Sequence, residues 1–206
     1  MATTFEHLRM HPDRPQIRQI RRAVDMLRQG AFAVVPTETT YAIMMLPQAM
    51  ETQNTVRQLR QLDQKHLWSL VVSDLSQAAE YVRMDNQAHR ILKRHLPGSY
   101  TFVLPASSHL PKRVFGKRRD IGIRMPLHTV CSMLLEELKE PLLATSMQFH
   151  GEDDVAVDPD NMACGLKHLH VVLMDAGWGG VTPTTIVDLC DDEYTVLRQG
   201  LGDWTD

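Results

Sequence analysis

Several stretches of the sequence set hydroxyl side chains or arginines where an apolar run starts or stops. Pro36-Thr37-Glu38-Thr39-Thr40-Tyr41 follows the apolar run 31–35. Thr145, Ser146 and Gln148 follow Leu142-Leu143-Ala144, and Pro183-Thr184-Thr185 opens Ile186-Val187. Thr101 stands just after the turn signal Pro97-Gly98. Arg124 ends a short apolar run before Met125-Pro126, and Arg198 ends another before Gly200. Hydroxyls donate hydrogen bonds to phosphate or carboxylate oxygens, and guanidiniums grip the same oxygens with forked donors. Gly122 permits close backbone approach beside Arg124, and Tyr41 would supply a flat, amphipathic wall. Arg57, Gln58 and Arg60 fall near a helix end, with Lys65 and His66 in the next loop. Two arginines there would clamp phosphates, or would only complement the helix dipole. Residues 36–41 likewise fit an ordinary strand-to-helix cap as well as a ligand loop.

Such residues act together only if the fold gathers them. Apolar positions Ile17, Ile20, Val24 and Leu27 have helical spacing over 15–29, closed by Gly30. Further helices are expected over about 50–62, 75–83, 86–96 and 129–139. Strands are expected over 31–35, 68–72, 100–104, 121–124, 142–145, 169–174, 184–189 and 194–197. Residues 149–161 are acidic and polar and read as a mobile loop. Strands and helices interleave, which is the pattern of an α/β layered sheet, and ligands of such sheets bind at strand ends. No repeat, low-complexity tract or long linker divides the 206 residues, so one domain over 1–206 is expected.

With 43% hydrophobic residues the chain can bury a core, and disorder is excluded. No apolar run approaches the ~20 residues that span a bilayer, and residues 1–15 lack the apolar centre of a secretory signal. Cys131, Cys164 and Cys190 are widely spaced and read as reduced thiols, so the expectation is a cytoplasmic protein without a membrane partner. The net charge of −3 hides an asymmetry: residues 1–124 hold 19 basic and 10 acidic side chains, and residues 125–206 hold 3 and 15. The densest basic stretch is Lys112, Arg113, Lys117, Arg118 and Arg119, which fits either an RNA-binding footprint or a solvated loop. His168 and His170 would share one face of a strand, but no third metal ligand is evident, and no metal site is expected. Cys131 reads as core, and there is no Walker A or GxGxxG pattern.

Taken in order, the motifs PTETTY (36–41), RQLR (57–60), PGSYTF (97–102), IGIRMP (121–126), ATSMQ (144–148), PTTIVD (183–188) and LRQG (197–200) resemble the YrdC/Sua5 family over nearly the whole chain. The likeness is greatest to its YciO branch, through His11-Pro12-Asp13 and through Asp191-Asp192 after PTTIVD. The resemblance implies a twisted mixed sheet, parallel and antiparallel, flanked by helices (YrdC/RibB-like), with a basic concave face. Family relatives make threonylcarbamoyl-adenylate from threonine, bicarbonate and ATP, for the t6A modification of tRNA. By that resemblance Arg60 and Ser146 are the candidate catalytic residues. Thr37, Thr40, Tyr41, Gln58, Thr101, Arg124, Gln148, Thr184 and Arg198 join them as substrate or nucleotide ligands. ATP or AMP is the implied ligand, with Mg²⁺ bridging phosphates, and threonine or a threonylcarbamoyl group and tRNA or double-stranded RNA are the implied partners.

Synthase members carry KxR where this chain has Gln58-Leu59-Arg60, and SxN where it has Ser146-Met147-Gln148. Glutamine for lysine removes a full charge facing phosphates, a loss of about 1.5–3 kcal/mol, or ten- to a hundredfold. The expectation is therefore a nucleotide- and RNA-binding protein acting in or near t6A metabolism. The alternatives are a non-catalytic double-stranded RNA or tRNA module and a t6A-removing enzyme.

Overall fold

A computed structural model describes residues 3–63, 66–111, 114, 119–191 and 193–205. Among these residues ten strands form one sheet in the order β1-β8-β2-β3-β7-β4-β6-β5-β9-β10. In chain order these are β1 (Phe5–Arg9), β2 (Phe32–Val35), β3 (Ala42–Met45), β4 (Ser69–Val71), β5 (Tyr100–Pro105), β6 (Asp120–Arg124), β7 (Leu142–Ser146), β8 (Val171–Asp175), β9 (Thr185–Asp188) and β10 (Thr195–Arg198). Among the described residues six helices accompany them: α1 (Ile17–Arg28), α2 (Met50–Arg60), α3 (Leu75–Tyr81), α4 (Asn86–His95), α5 (Thr129–Leu138) and α6 (Pro159–Leu166). β8 pairs in parallel with β1 and β2, β4 with β6 and β5 with β9; the remaining neighbours are antiparallel. The sheet is thus mixed, as the resemblance implies.

The period of two along each strand sorts side chains between two apolar layers. On one face Phe32, Val34, Ile43, Leu70, Phe102, Ile123, Leu143 and Leu173 pack with residues of α2, α3, α4 and α6. On the other, Ala33, Val35, Met44, Val71, Leu142, Ala144 and Val172 pack with α1 and α5. That second layer takes residues from β8, β2, β3, β7 and β4 but none from β6, β5 or β9. Where it stops, the same face of those strands carries Asp120, Gly122, Arg124, Thr101 and Val103, by the register of β5 on β6. The second helical layer therefore ends where polar and small residues begin.

Three elements differ from expectation. β1, within the charged leader, is a partly buried edge strand on β8. β3 makes residues 36–41 a strand-to-strand loop, so they cap no helix. The loop expected over 149–161 ends at Asp158, whose carboxylate accepts from the Asp160 amide (3.0 Å) and caps α6, with Pro159 in its first turn.

Candidate functional site

Loop 36–41 closes on itself through hydroxyls. Thr37 Oγ1 donates to Thr40 O (2.6 Å) and lies 3.0 Å from Thr39 Oγ1. All three threonines are buried. Arg124, at the end of β6, reaches this loop: its Nη2 donates to Thr39 Oγ1 (3.1 Å) and lies 3.9 Å from Glu38 Oε1. Its Nε makes no hydrogen bond, although the residue is buried. Burial pushes the guanidinium below its usual value, opposed by Glu38. Glu38 is pushed up, first by burial, and its other oxygen accepts from the Leu127 amide (3.0 Å). Arg124 is thus a buried cation whose counter-charge is a partly desolvated carboxylate beyond normal hydrogen-bond distance.

Arg198 approaches from β10. Its Nε and Nη2 donate to Thr184 O at 3.1 and 2.9 Å, and Thr184 Oγ1 lies 2.8 Å from Thr101 Oγ1. Burial of the guanidinium, and then the charge of Arg124, lower its proton affinity. A cation near a second guanidinium is disfavoured, and a bound anion would relieve the cost. Gly122 allows the close packing beneath them: a Cβ there would lie 2.7 Å from the Thr101 methyl carbon and 3.1 Å from Ser69 Oγ.

A second set is anchored at the end of α2. Arg60 Nη1 donates to Thr145 Oγ1 and Ser146 O, and its Nη2 to Gln148 Oε1, each at 2.7 Å. Gln148 in turn donates to Glu152 O (2.7 Å). The two sets are joined where Ala42 faces Ser146 across β3 and β7 and the Met147 amide donates to Tyr41 O (2.7 Å). Contacts therefore link Arg60 and Ser146 to the 37–41 loop, and that loop reaches Arg124 through Thr39, although by register Arg124 stands level with Val71 and Leu142 and Ser146 with Ala42 at the other end of β7.

Two expected ligands sit otherwise. Tyr41 is fully buried, with its hydroxyl donating to Gly177 O (2.7 Å) and accepting from the Ala176 amide (3.2 Å), so it braces a loop and forms no wall of a groove. Burial raises its pKa to about 12. Gln58 is exposed on α2 and neutral. Arg57 does not replace the missing lysine: it donates to Asp63 O (2.7 Å) and lies 5.0 Å over the Trp68 ring. His66, pushed down to about 4 by burial and then by Arg60 and Arg57, is uncharged at neutral pH.

Lys112, Arg113, Lys117 and Arg118 lie outside the described residues, and Arg119 is exposed. Cys131 is buried, its pKa raised to about 12, and it packs in the α1–α5 layer. A group the sequence did not single out, His7, Asp160 and Asp175, brings its ligand atoms within 4.8 Å of one another. Arg9 already pairs with both carboxylates and His7 with Asp175, so the group is an ion-pair network holding β1 to β8 and α6. A hollow of about 820 Å³ lies elsewhere, between β1 and α1, where Arg22 is paired with Glu6. No helix among the described residues is long and apolar enough to cross a membrane.

A mixed sheet flanked by helices, with threonines and arginines meeting over the 37–41 loop, defines an α/β protein. The chain belongs to the Sua5/YciO/YrdC family, whose model, described as "Telomere recombination", matches residues 25–200. It is 36% identical to YciO of Escherichia coli K12 over 195 residues, covering 94% of this chain and 95% of that one. The crystal structure of E. coli YciO superposes with a TM-score of 0.89 at 35% identity, covering 98% of both chains. The threonylcarbamoyl-AMP synthase of Chromobacterium violaceum is 28% identical over 190 residues, covering 91% of this chain and 96% of that one. P. abyssi Sua5, solved in complex with L-threonine, shares the fold, with a TM-score of 0.85 at 23% identity over 96% of this chain and 58% of that one.

Proposed function

We propose that this protein binds a threonylcarbamoyl-adenosine group, in a nucleotide or in tRNA, and acts in or near t6A metabolism. The observation that carries this reading is buried Arg124, bound to Thr39 with Glu38 3.9 Å away, beside Arg198, which is bound to Thr184 and through it meets Thr101. Arg198 would take phosphate oxygens, and Arg124 with Thr37 and Thr39 the threonine-derived carboxylate. Thr101, Thr184 and Ser146 would supply hydroxyl donors. Mg²⁺ would arrive bound to phosphates, since Glu38, the carboxylate of this set, lies beside Arg124. A threonine complex of a fold neighbour and synthase relatives support the ligand class.

ATP-driven synthesis fits less well. Arg60 already serves three acceptors, and Gln58 is neutral and exposed, so the positive charge facing three phosphates is reduced. Recognition, or removal, of a finished threonylcarbamoyl group needs less charge. Calorimetry with t6A-bearing and unmodified tRNA tests this, followed by nucleoside mass spectrometry of the recovered RNA. Modified tRNA should bind at least tenfold more tightly, and Arg124→Gln should abolish the preference. Loss of t6A with time would establish removal. Equal binding of both RNAs, unchanged by Arg124→Gln, would overturn the reading, and threonine-dependent pyrophosphate release from ATP would replace it with synthesis.

A further inference from the structure

We propose that Trp178 is the stacking platform for the nucleobase of the ligand whose anionic group lies at Arg124 and Arg198. The proposal rests on the anion-site reading above and adds the recognition of the base. Trp178 is 79% exposed, whereas Trp68 is buried and Trp204 packs on His95 with ring centroids 4.7 Å apart. A tryptophan left in water is unusual, and stacking bases is one use that a protein makes of one.

The backbone that carries it is held firmly. Gly177 O accepts from the Tyr41 hydroxyl, the Ala176 amide donates to that same hydroxyl, and the Gly179 amide donates to Val157 O (2.8 Å). Gly177 takes a φ of +97°, which L side chains rarely adopt. Gly180 lies so close to Thr39 that a Cβ there would overlap the Thr39 carbonyl, and a Cβ on Gly179 would meet the Tyr41 ring at 2.6 Å. Glycines thus press the loop flat onto the 37–41 loop, and the side chain set among them is an indole.

Position follows from these contacts. Gly180 rests on Thr39, and Thr39 accepts from Arg124. Trp178 is two residues from Gly180, so its Cα lies within about 7 Å of that point. Val181, three residues on, is exposed, and so is Leu127, whose amide donates to Glu38 beside Thr39. An exposed aromatic ring carried two residues from the Gly180–Thr39 contact, with Arg124 bound to that same threonine, matches a ligand with a flat base at one end and negative charge at the other. Stacking tolerates any base, so Trp178 would add affinity for a nucleotide without choosing its sequence.

Tryptophan fluorescence reads this directly, with Trp178→Ala supplying the background of Trp68 and Trp204. AMP or oligoadenylate should quench the Trp178 component, and ribose 5-phosphate or pyrophosphate should not. By calorimetry Trp178→Ala should weaken the base-bearing probes about five- to a hundredfold and leave pyrophosphate unchanged, with Trp178→Phe retaining most of the affinity. Quenching by oligoadenylate alone would assign the base to RNA, and quenching by AMP as well to a free nucleotide. Absence of quenching by either base-bearing probe, or unchanged affinity in Trp178→Ala, would overturn the platform. If pyrophosphate still bound in that case, the anion site would stand. If pyrophosphate failed to bind while base probes still needed Trp178, the anion site would fall and the platform would stand. A concentration-dependent shift of Trp178 emission without any probe would assign it to self-association and overturn the proposal.

Discussion

Gln148 ties Arg60 to the acidic segment beyond β7: its carbonyl accepts from Arg60 Nη2, and its amide donates to Glu152 O. Asparagine is shorter by one methylene and cannot span both partners, so Gln148→Asn should release one guanidinium donor toward the cleft. Gln58→Lys adds a charge on the exposed side of α2. Together they should raise threonine-dependent pyrophosphate release at least tenfold, since one charge-assisted contact contributes about 1.5–3 kcal/mol. If AMP still binds and release stays flat, the missing charge does not limit the chemistry. The sequence singled out the hydroxyls and arginines because strand ends announce themselves through prolines and apolar runs. It misplaced Tyr41, because a phenol at a cleft and a phenol buried behind it have the same neighbours in sequence. Only the return of loop 176–180 distinguishes them.

Tyr41→Phe would remove that brace. Gly177 O would lose its donor and the Ala176 amide its acceptor. The expected cost is about 1–3 kcal/mol in denaturant titration, with faster hydrogen exchange at Ala176 and Gly179. Unchanged exchange there would mean the glycine contacts alone hold the loop. The elements the sequence hid share a cause, which is that tertiary burial outweighs propensity. Ala42-Ile43-Met44-Met45 is too short for its period to be read, and alanine is a poor strand former, yet all four residues are buried between β2 and β7. β1 alternates weakly and gains its place from pairing with β8, far along the chain. α6 did have a local signal, Asp158-Pro159, masked by the surrounding acidic residues.

The whole molecule rearranges what the chain segregates. β7 and β8, from the acidic C-terminal part, lie inside the sheet: β7 between β3 and β4, β8 between β1 and β2. β9 and β10 finish its edge beside β5. The division at residue 124 is therefore no boundary in space: Thr101 of β5 meets Thr184, to which Arg198 is bound. Long-range pairing of this kind cannot be read from charge or periodicity, so the basic bias of residues 1–124 does not by itself locate an RNA surface. The remaining argument for one is the density of cations over 112–119. Each phosphate neutralised adds roughly 0.7–0.9 to the slope of log affinity against log salt. Replacing Lys117, Arg118 and Arg119 with glutamine should flatten that slope by about 2–3 for tRNA and leave AMP affinity unchanged. An unaltered slope would remove this stretch from RNA binding and leave Arg124, Arg198 and the 37–41 loop as the proposed seat of recognition.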